Sequence, residues 1–285
     1  METAAYYAYP ARAVEPTTHL LRDEPRLREI LVRFPLSSPG FDSTEPVVEV
    51  EWFESRAPGR RPALVFNPIL GGNYPLERDI CRYLARHGIH VALIHRKAVK
   101  LAPEESVDHL ELLLRQGLIR IRQVVDWLAA HERVDPDRLG SFGISMGGIA
   151  SVMAAAVEPR LRAHVVALAG GGIPEILARS NDRLLARPRR RYLDRHRMDR
   201  TTLEALLRQR VRTDPLTLAP YVDGRRVLMF IAVADRTIGA ANALRLWRAL
   251  GKPRAVFLPL GHYTASLSLP YLKSASLRFF REAFR

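Results

Sequence analysis

Apolar residues fall in short runs along the chain, and the runs alternate with longer segments of helical spacing. Arg28 to Ser37 and Val47 to Ser55 are apolar, partly alternating and carry β-branched and aromatic residues, which predicts two early strands. Ala63-Leu64-Val65-Phe66 is a continuous apolar run ending at Asn67-Pro68 and followed by Gly71-Gly72, the pattern of a buried strand feeding a glycine loop. Leu76 to His87 has helical spacing, closes at Gly88, and gives way to the strand-like run Ile89 to Ile94. The rhythm repeats with a helix over Val107 to Ala130, a strand over Arg138 to Ile144, an alanine-rich helix over Gly147 to Val157 and a strand over Ala163 to Leu168. Strands and helices in this order predict an α/β fold, a mainly parallel sheet covered by helices on both faces.

Residues 173 to 220 break the rhythm, with no convincing strand and only helical, arginine-laden sequence up to Asp214-Pro215. It resumes with a strand over Val227 to Ala234, a helix over Ala240 to Leu250, a strand over Ala255 to Leu260 and a final helix around Leu272 to Phe284. Neither an internal repeat nor a linker separates two independent domains. The expected organisation is an N-terminal extension with the first strand (1–44), a core (45–172 and 221–285) and a helical cap (173–220) inserted after the sixth predicted strand.

Composition narrows the class. The chain has 285 residues, 47% hydrophobic and 26% charged, with 17 glycines and 20 prolines, which excludes disorder, collagen and small disulfide scaffolds. Its single cysteine, Cys81, excludes a disulfide framework and cysteine-rich metal sites and suits a reducing compartment. Met1 to Pro10 carries no basic, apolar leader, and no apolar run approaches the ~20 residues needed to cross a bilayer, so a cytoplasmic protein is expected.

Charge adds a location. The formal net charge is +14, yet residues 1 to 60 carry 7 arginines against 10 acidic residues. Between Arg179 and Arg212 there are 12 arginines against Asp182, Asp194, Asp199 and Glu204, including Arg187-Pro188-Arg189-Arg190-Arg191. Such a cluster is either a solvated outer face or a cover that attracts anions. Nucleic acid is not an expected partner, because only Tyr192 interleaves the run and no nucleic-acid motif accompanies it.

Gly143-Ile144-Ser145-Met146-Gly147-Gly148 fits Gly-x-Ser-x-Gly and falls where a predicted strand meets a predicted helix. There a serine sits on a tight turn that lifts its hydroxyl above the sheet, with glycines permitting close backbone approach. With Val134-Asp135-Pro136-Asp137-Arg138-Leu139-Gly140 leading into it, this segment resembles the α/β-hydrolases, above all their dienelactone-hydrolase and acetyl-esterase or peptidase-like branches, over about residue 45 to the end. The resemblance implies Ser145 as nucleophile, followed in chain order by an acid and a histidine at the carboxyl ends of strands.

His262 follows the run Ala255 to Leu260 through Gly261 and fits the base, whereas His164 enters a strand and His196 sits among arginines. Asp235 follows Phe230-Ile231-Ala232-Val233-Ala234 and fits the acid, with Glu175 the fallback and Asp223 at the wrong end of the strand. Many relatives continue this aspartate into Val-Pro, where this chain reads Arg236-Thr237-Ile238. The oxyanion donors implied are the amides of Met146 and Leu70, the latter in Pro68-Ile69-Leu70-Gly71-Gly72, which replaces a common His-Gly-x-Gly-Gly.

The cap would overhang Ser145, with Leu177, Leu184, Leu185, Leu193, Leu203, Leu206 and Leu207 forming an apolar face over an acyl pocket and arginines facing outward. The function implied is a serine hydrolase cleaving a small-molecule carboxylic ester, without cofactor or metal. An acyltransferase or peptidase using the same triad, and a non-catalytic protein docking an acidic partner through its arginines, remain as alternatives. Membrane contact is not expected, because the chain lacks an anchor, and the oligomeric state is left open.

Overall fold

The computed structural model describes residues 5–10, 15–37, 47–71, 73–95 and 104–285. Gly72, the boundary at 44/45 and residues 1–4 of the segment read for a leader lie outside them. The described strands are β1 (Thr17–Glu24), β2 (Leu27–Pro35), β3 (Val47–Ser55), β4 (Arg61–Asn67), β5 (His90–His95), β6 (Val134–Ile144), β7 (Leu161–Ala167), β8 (Val227–Ala232) and β9 (Arg254–Leu258). They form one sheet in the order β1-β2-β3-β5-β4-β6-β7-β8-β9. The pairs among β1, β2, β3 and β5 are antiparallel, and every pair from β5 through β4 to β9 is parallel.

The helices are α1 (Pro75–Arg86), α2 (Val107–Ala130), α3 (Met146–Val157), α4 (Ile173–Arg179), α5 (Arg183–His196), α6 (Arg200–Arg210), α7 (Pro215–Leu218), α8 (Ala240–Ala249) and α9 (Leu269–Ala283). Alternate residues of β4 point into separate cores, as the two-residue period of a strand requires. Ala63 and Val65 pack with Val124 of α2 and Val152 of α3, while Leu64 and Phe66 pack with Ile80 of α1 and Phe280 of α9. Helices therefore cover both faces, and the strands between them read as unbroken apolar runs.

Every strand and helix predicted from residue 28 onward has a counterpart within a few residues. The addition is β1, so the sixth predicted strand is β7. Helices α4 to α7 lie between β7 and β8, the expected place of the cap. Residues 5–10 are pinned to the body of the fold. Tyr6 donates to Glu111 of α2 at 2.8 Å, Tyr9 to Asp126 at 2.5 Å, and the Tyr7 and Thr213 hydroxyls bond at 3.0 Å.

Candidate active site

Strand β6 ends at Ile144, helix α3 begins at Met146, and Ser145 between them takes φ 56° and ψ −119°. A positive φ at a residue with a side chain is strained by roughly 1–3 kcal/mol and persists only where the surroundings impose it. They do so here through the Ser145 amide, which donates to Ala167 O at 2.8 Å. The turn is also too tight for side chains on either side. A Cβ on Gly143 would lie 2.0 Å from Gly147 O, and one on Gly147 would lie 1.9 Å from Asn67 O. Beneath the turn, the buried Asn67 side chain donates to Ser151 Oγ of α3 at 2.9 Å, fixing the end of β4 against the helix that carries the turn.

His262 reaches the turn from the loop after β9. Its Nε2 lies 3.0 Å from Ser145 Oγ, and its Nδ1 lies 2.7 Å from Asp235 Oδ2. Asp235 follows β8, and its other oxygen accepts the amides of Thr237 at 2.8 Å and Ile238 at 2.9 Å. Burial would raise the Asp235 pKa, but the hydrogen bond and charge of His262 and the two amides outweigh it, so the carboxyl is held below its ordinary value. Three residues far apart in sequence thus form one hydrogen-bonded line from carboxylate through imidazole to hydroxyl.

The other candidates are engaged elsewhere. His164 bonds Ser141 Oγ at 2.9 Å inside the sheet, and burial, aided by the Arg226 charge, pulls it down to about 4. The His196 ring packs 4.2 Å from that of Tyr192. Glu175 is ion-paired to Arg245 and Arg208, and Asp223 to Arg225 and Arg226.

Met146 opens α3, so its amide is among those without an intrahelical acceptor. In the loop after β4, the Ile69 amide donates to Glu77 Oε1 at 3.0 Å, while among the described residues the Leu70 amide has no partner. Both Met146 and Leu70 border the cavity at Ser145. Glu77 is fully buried in the first turn of α1, and its Oε2 has no hydrogen-bond partner among the described residues. Its position after Pro75 was the available signal, since acidic residues favour helix N-termini, but nothing local pointed to Ile69.

The cavity measures about 400 Å³ and its wall is largely apolar. Leu177, Leu184 and Leu185 of the cap line it, whereas Leu203 and Leu207 are buried in the core and Leu193 and Leu206 pack against that core. Among the described residues no arginine or lysine lines it, and Asp182 is the one carboxylate in its wall. Among the described residues, none of the arginines read as an anion-attracting cover lines the cavity wall. Arg189 is itself buried and donates to the carbonyls of Leu177 at 3.0 Å and Ser180 at 2.7 Å, closing the end of α4. Arg179 pairs with Glu204, and Arg208 with Glu175 and Glu204.

Comparison with known proteins bears on the fold. Residues 121–258 match the model of the prolyl oligopeptidase family, a span that includes Ser145 and Asp235 and stops before His262. The acetyl xylan esterase of Paenibacillus sp. R4 superposes with a TM-score of 0.75 at 19% identity, covering 99% of this chain and 92% of its own. The chain has the α/β-hydrolase fold. Acetyl xylan esterase 1 of Thermoanaerobacterium sp. JW/SL YS485 is similar over 92% of this chain and 88% of its own (TM-score 0.64, 18% identity). A cold-adapted esterase from an Arctic intertidal metagenomic library covers 96% of this chain and 100% of its own (TM-score 0.62, 12% identity). No protein of curated function matches the sequence. Among the described residues, no helix is long and apolar enough to cross a membrane, and no group of three His, Cys, Asp or Glu side chains could hold a metal ion.

Proposed function

We propose that this protein is an α/β-hydrolase, a serine carboxylic ester hydrolase of the EC 3.1.1 type working through an acyl-enzyme on Ser145. The observation that carries the reading is the line Asp235–His262–Ser145, with its 2.7 and 3.0 Å hydrogen bonds at the floor of an apolar cavity. Ser145 Oγ attacks the ester carbonyl carbon as His262 Nε2 takes its proton. The carbon–oxygen bond to the alcohol then breaks, and His262 returns the proton to the departing oxygen. Water attacks the acyl-enzyme with His262 again as base, the acid leaves, and Ser145 regains its proton. Asp235 holds Nδ1–H and stabilises the imidazolium, while the amides of Met146 and Leu70 serve the oxyanion, each worth roughly 10²- to 10³-fold in rate.

The same reading divides the chain into an extension (1–44), a core (45–172 and 221–285) and a cap (173–220), and places the protein in the cytoplasm, in keeping with its single, buried thiol, Cys81. The substrate is a small ester; neither nucleic acid nor a membrane is invoked. The match to the prolyl oligopeptidase family favours a second reading, peptide cleavage by the same triad, and acyl transfer to an alcohol or amine would begin from the same intermediate. The non-catalytic reading has less support, since several cap arginines are engaged within the chain. Hydrolysis of p-nitrophenyl esters, run beside a peptide substrate and competing acceptors, tests the reading. Turnover that survives both Ser145→Ala and His262→Ala contradicts it.

A further inference from the structure

Resting on the Ser145 reading, the cavity narrows the substrate class. Its polar side chains among the described residues, beyond Ser145 and His262, are Asp182, Thr237, Tyr263 and Ser266. All four are already engaged with one another or with backbone. Asp182 accepts from the Leu184 amide at 2.8 Å, from Thr237 Oγ1 at 3.3 Å and from the Tyr263 hydroxyl, while Ser266 donates to Tyr263 O at 2.8 Å. The rest of the wall is hydrocarbon or thioether, supplied by the cap (Ile173, Ile176, Leu177), by α2 (Leu110, Leu114) and by the core beneath. A sugar needs free hydrogen-bonding groups and aromatic faces. Tyr263 is the only Phe, Tyr or Trp in the described wall.

Direction follows from the proton. His262 must protonate the leaving oxygen, so the alcohol departs on the His262 side. That side is open, since Tyr263 is 66% exposed and Leu267 78% exposed. The acyl arm is left facing the apolar wall under the cap. An apolar cavity of about 150 Å³ holds a six-carbon ring, so about 400 Å³ accommodates on the order of 15 non-hydrogen atoms, far more than an acetyl group requires.

We infer that this hydrolase takes neutral esters with a medium-length hydrocarbon acyl chain, of about six to twelve carbons, bound under the cap by burial. It thus differs in substrate class from its acetyl xylan esterase neighbours. The side chain of Asp182 at the wall further disfavours an acyl chain ending in a carboxylate.

The test is a series of p-nitrophenyl esters from acetate to palmitate, each below its aggregation limit, with the succinate half-ester as the anionic member. Burial of a methylene is worth up to about fourfold in kcat/KM. The expected result is a rise of at least about 100-fold from acetate to octanoate, a plateau or fall beyond about twelve carbons, and a poor succinate half-ester. In Leu177→Trp, which fills part of the cavity, the optimum moves to shorter chains. A profile that is flat or highest at acetate, in protein whose Ser145 still reacts with a fluorophosphonate, overturns this inference and leaves the triad reading standing. Protein that hydrolyses none of the series and does not react with the probe overturns both.

Discussion

The Asp182 carboxylate, which caps the amino end of helix α5, accepts a hydrogen bond from the hydroxyl of Tyr263, the residue beside His262. The same oxygen takes Thr237 Oγ1, two residues beyond Asp235, at 3.3 Å. One cap residue therefore ties together the loops that carry His262 and Asp235. Replacing it with alanine removes a helix cap worth about 1 kcal/mol as well as the tie. In Asp182→Ala, kcat/KM for neutral esters is expected to fall about 10-fold and fluorophosphonate labelling to slow while still reaching completion; in Tyr263→Phe, the fall is about threefold. Rates equal to wild type in both variants would mean that the cap does not position the loops.

Burial, and after it the Asp182 carboxylate, push the Tyr263 hydroxyl up to about 12. A raised pKa on this group contributes stability that is present below the ordinary tyrosine value of about 10 and is lost as pH rises through about 12. Thermal melts of wild type and Tyr263→Phe are expected to converge over that window. A difference that stays constant from pH 8 to pH 11.5 would contradict the assignment.

Asp235 has the opposite sign. Its carboxyl is depressed, so its contribution is present above the ordinary aspartate value and is lost as pH falls through the lower folded value. The stability difference between wild type and Asp235→Asn should therefore shrink below about pH 4. At neutral pH the asparagine presents the wrong partner to Nδ1, and kcat is expected to fall roughly 10³- to 10⁴-fold. A loss smaller than 10-fold would move the acid elsewhere, with Glu175 the next residue to replace.

The parts of this site that were legible in the sequence share a property. Ser145, Asp235 and His262 each stand at the end of an apolar run, and a buried parallel strand announces itself without reference to its neighbours. Strand β1 does not, because it is an edge strand whose residues are almost all exposed, leaving no alternation to read. Arg189 was indistinguishable from Arg190 and Arg191 in a basic run, since only the packed helix turns one of them inward onto the carbonyls of Leu177 and Ser180. Glu77, Asn67 and Asp182 act across distances in sequence that no local pattern spans.

Those arginines separate by experiment. Reversing the exposed Arg190 and Arg191 to glutamate should leave kcat/KM for a neutral ester within about twofold, as neither borders the cavity. Arg189→Ala strands two carbonyls in a buried setting and is expected to cost about 2–3 kcal/mol of stability by denaturant titration. Equal effects of the two changes would return the arginines to a single class.

The turn at Ser145 gives a steric prediction. A Cβ at residue 147 meets the Asn67 carbonyl at 1.9 Å, backbone against backbone, so no side-chain rotation relieves it. Gly147→Ala is expected to lose more than about 3 kcal/mol of stability or to fail to fold, whereas Gly117→Ala, with open space around the new methyl, folds normally. A stable, active Gly147→Ala would show that residue 147 stands farther from the Asn67 carbonyl than this packing requires.

The most direct measurement is the site of covalent capture. Protein treated with a fluorophosphonate and digested should carry the phosphonyl mass on the peptide containing Ser145 and on no other. The label should be absent in Ser145→Ala and slowed at least 100-fold in His262→Ala. Capture at another residue, or none in folded protein, would contradict the account.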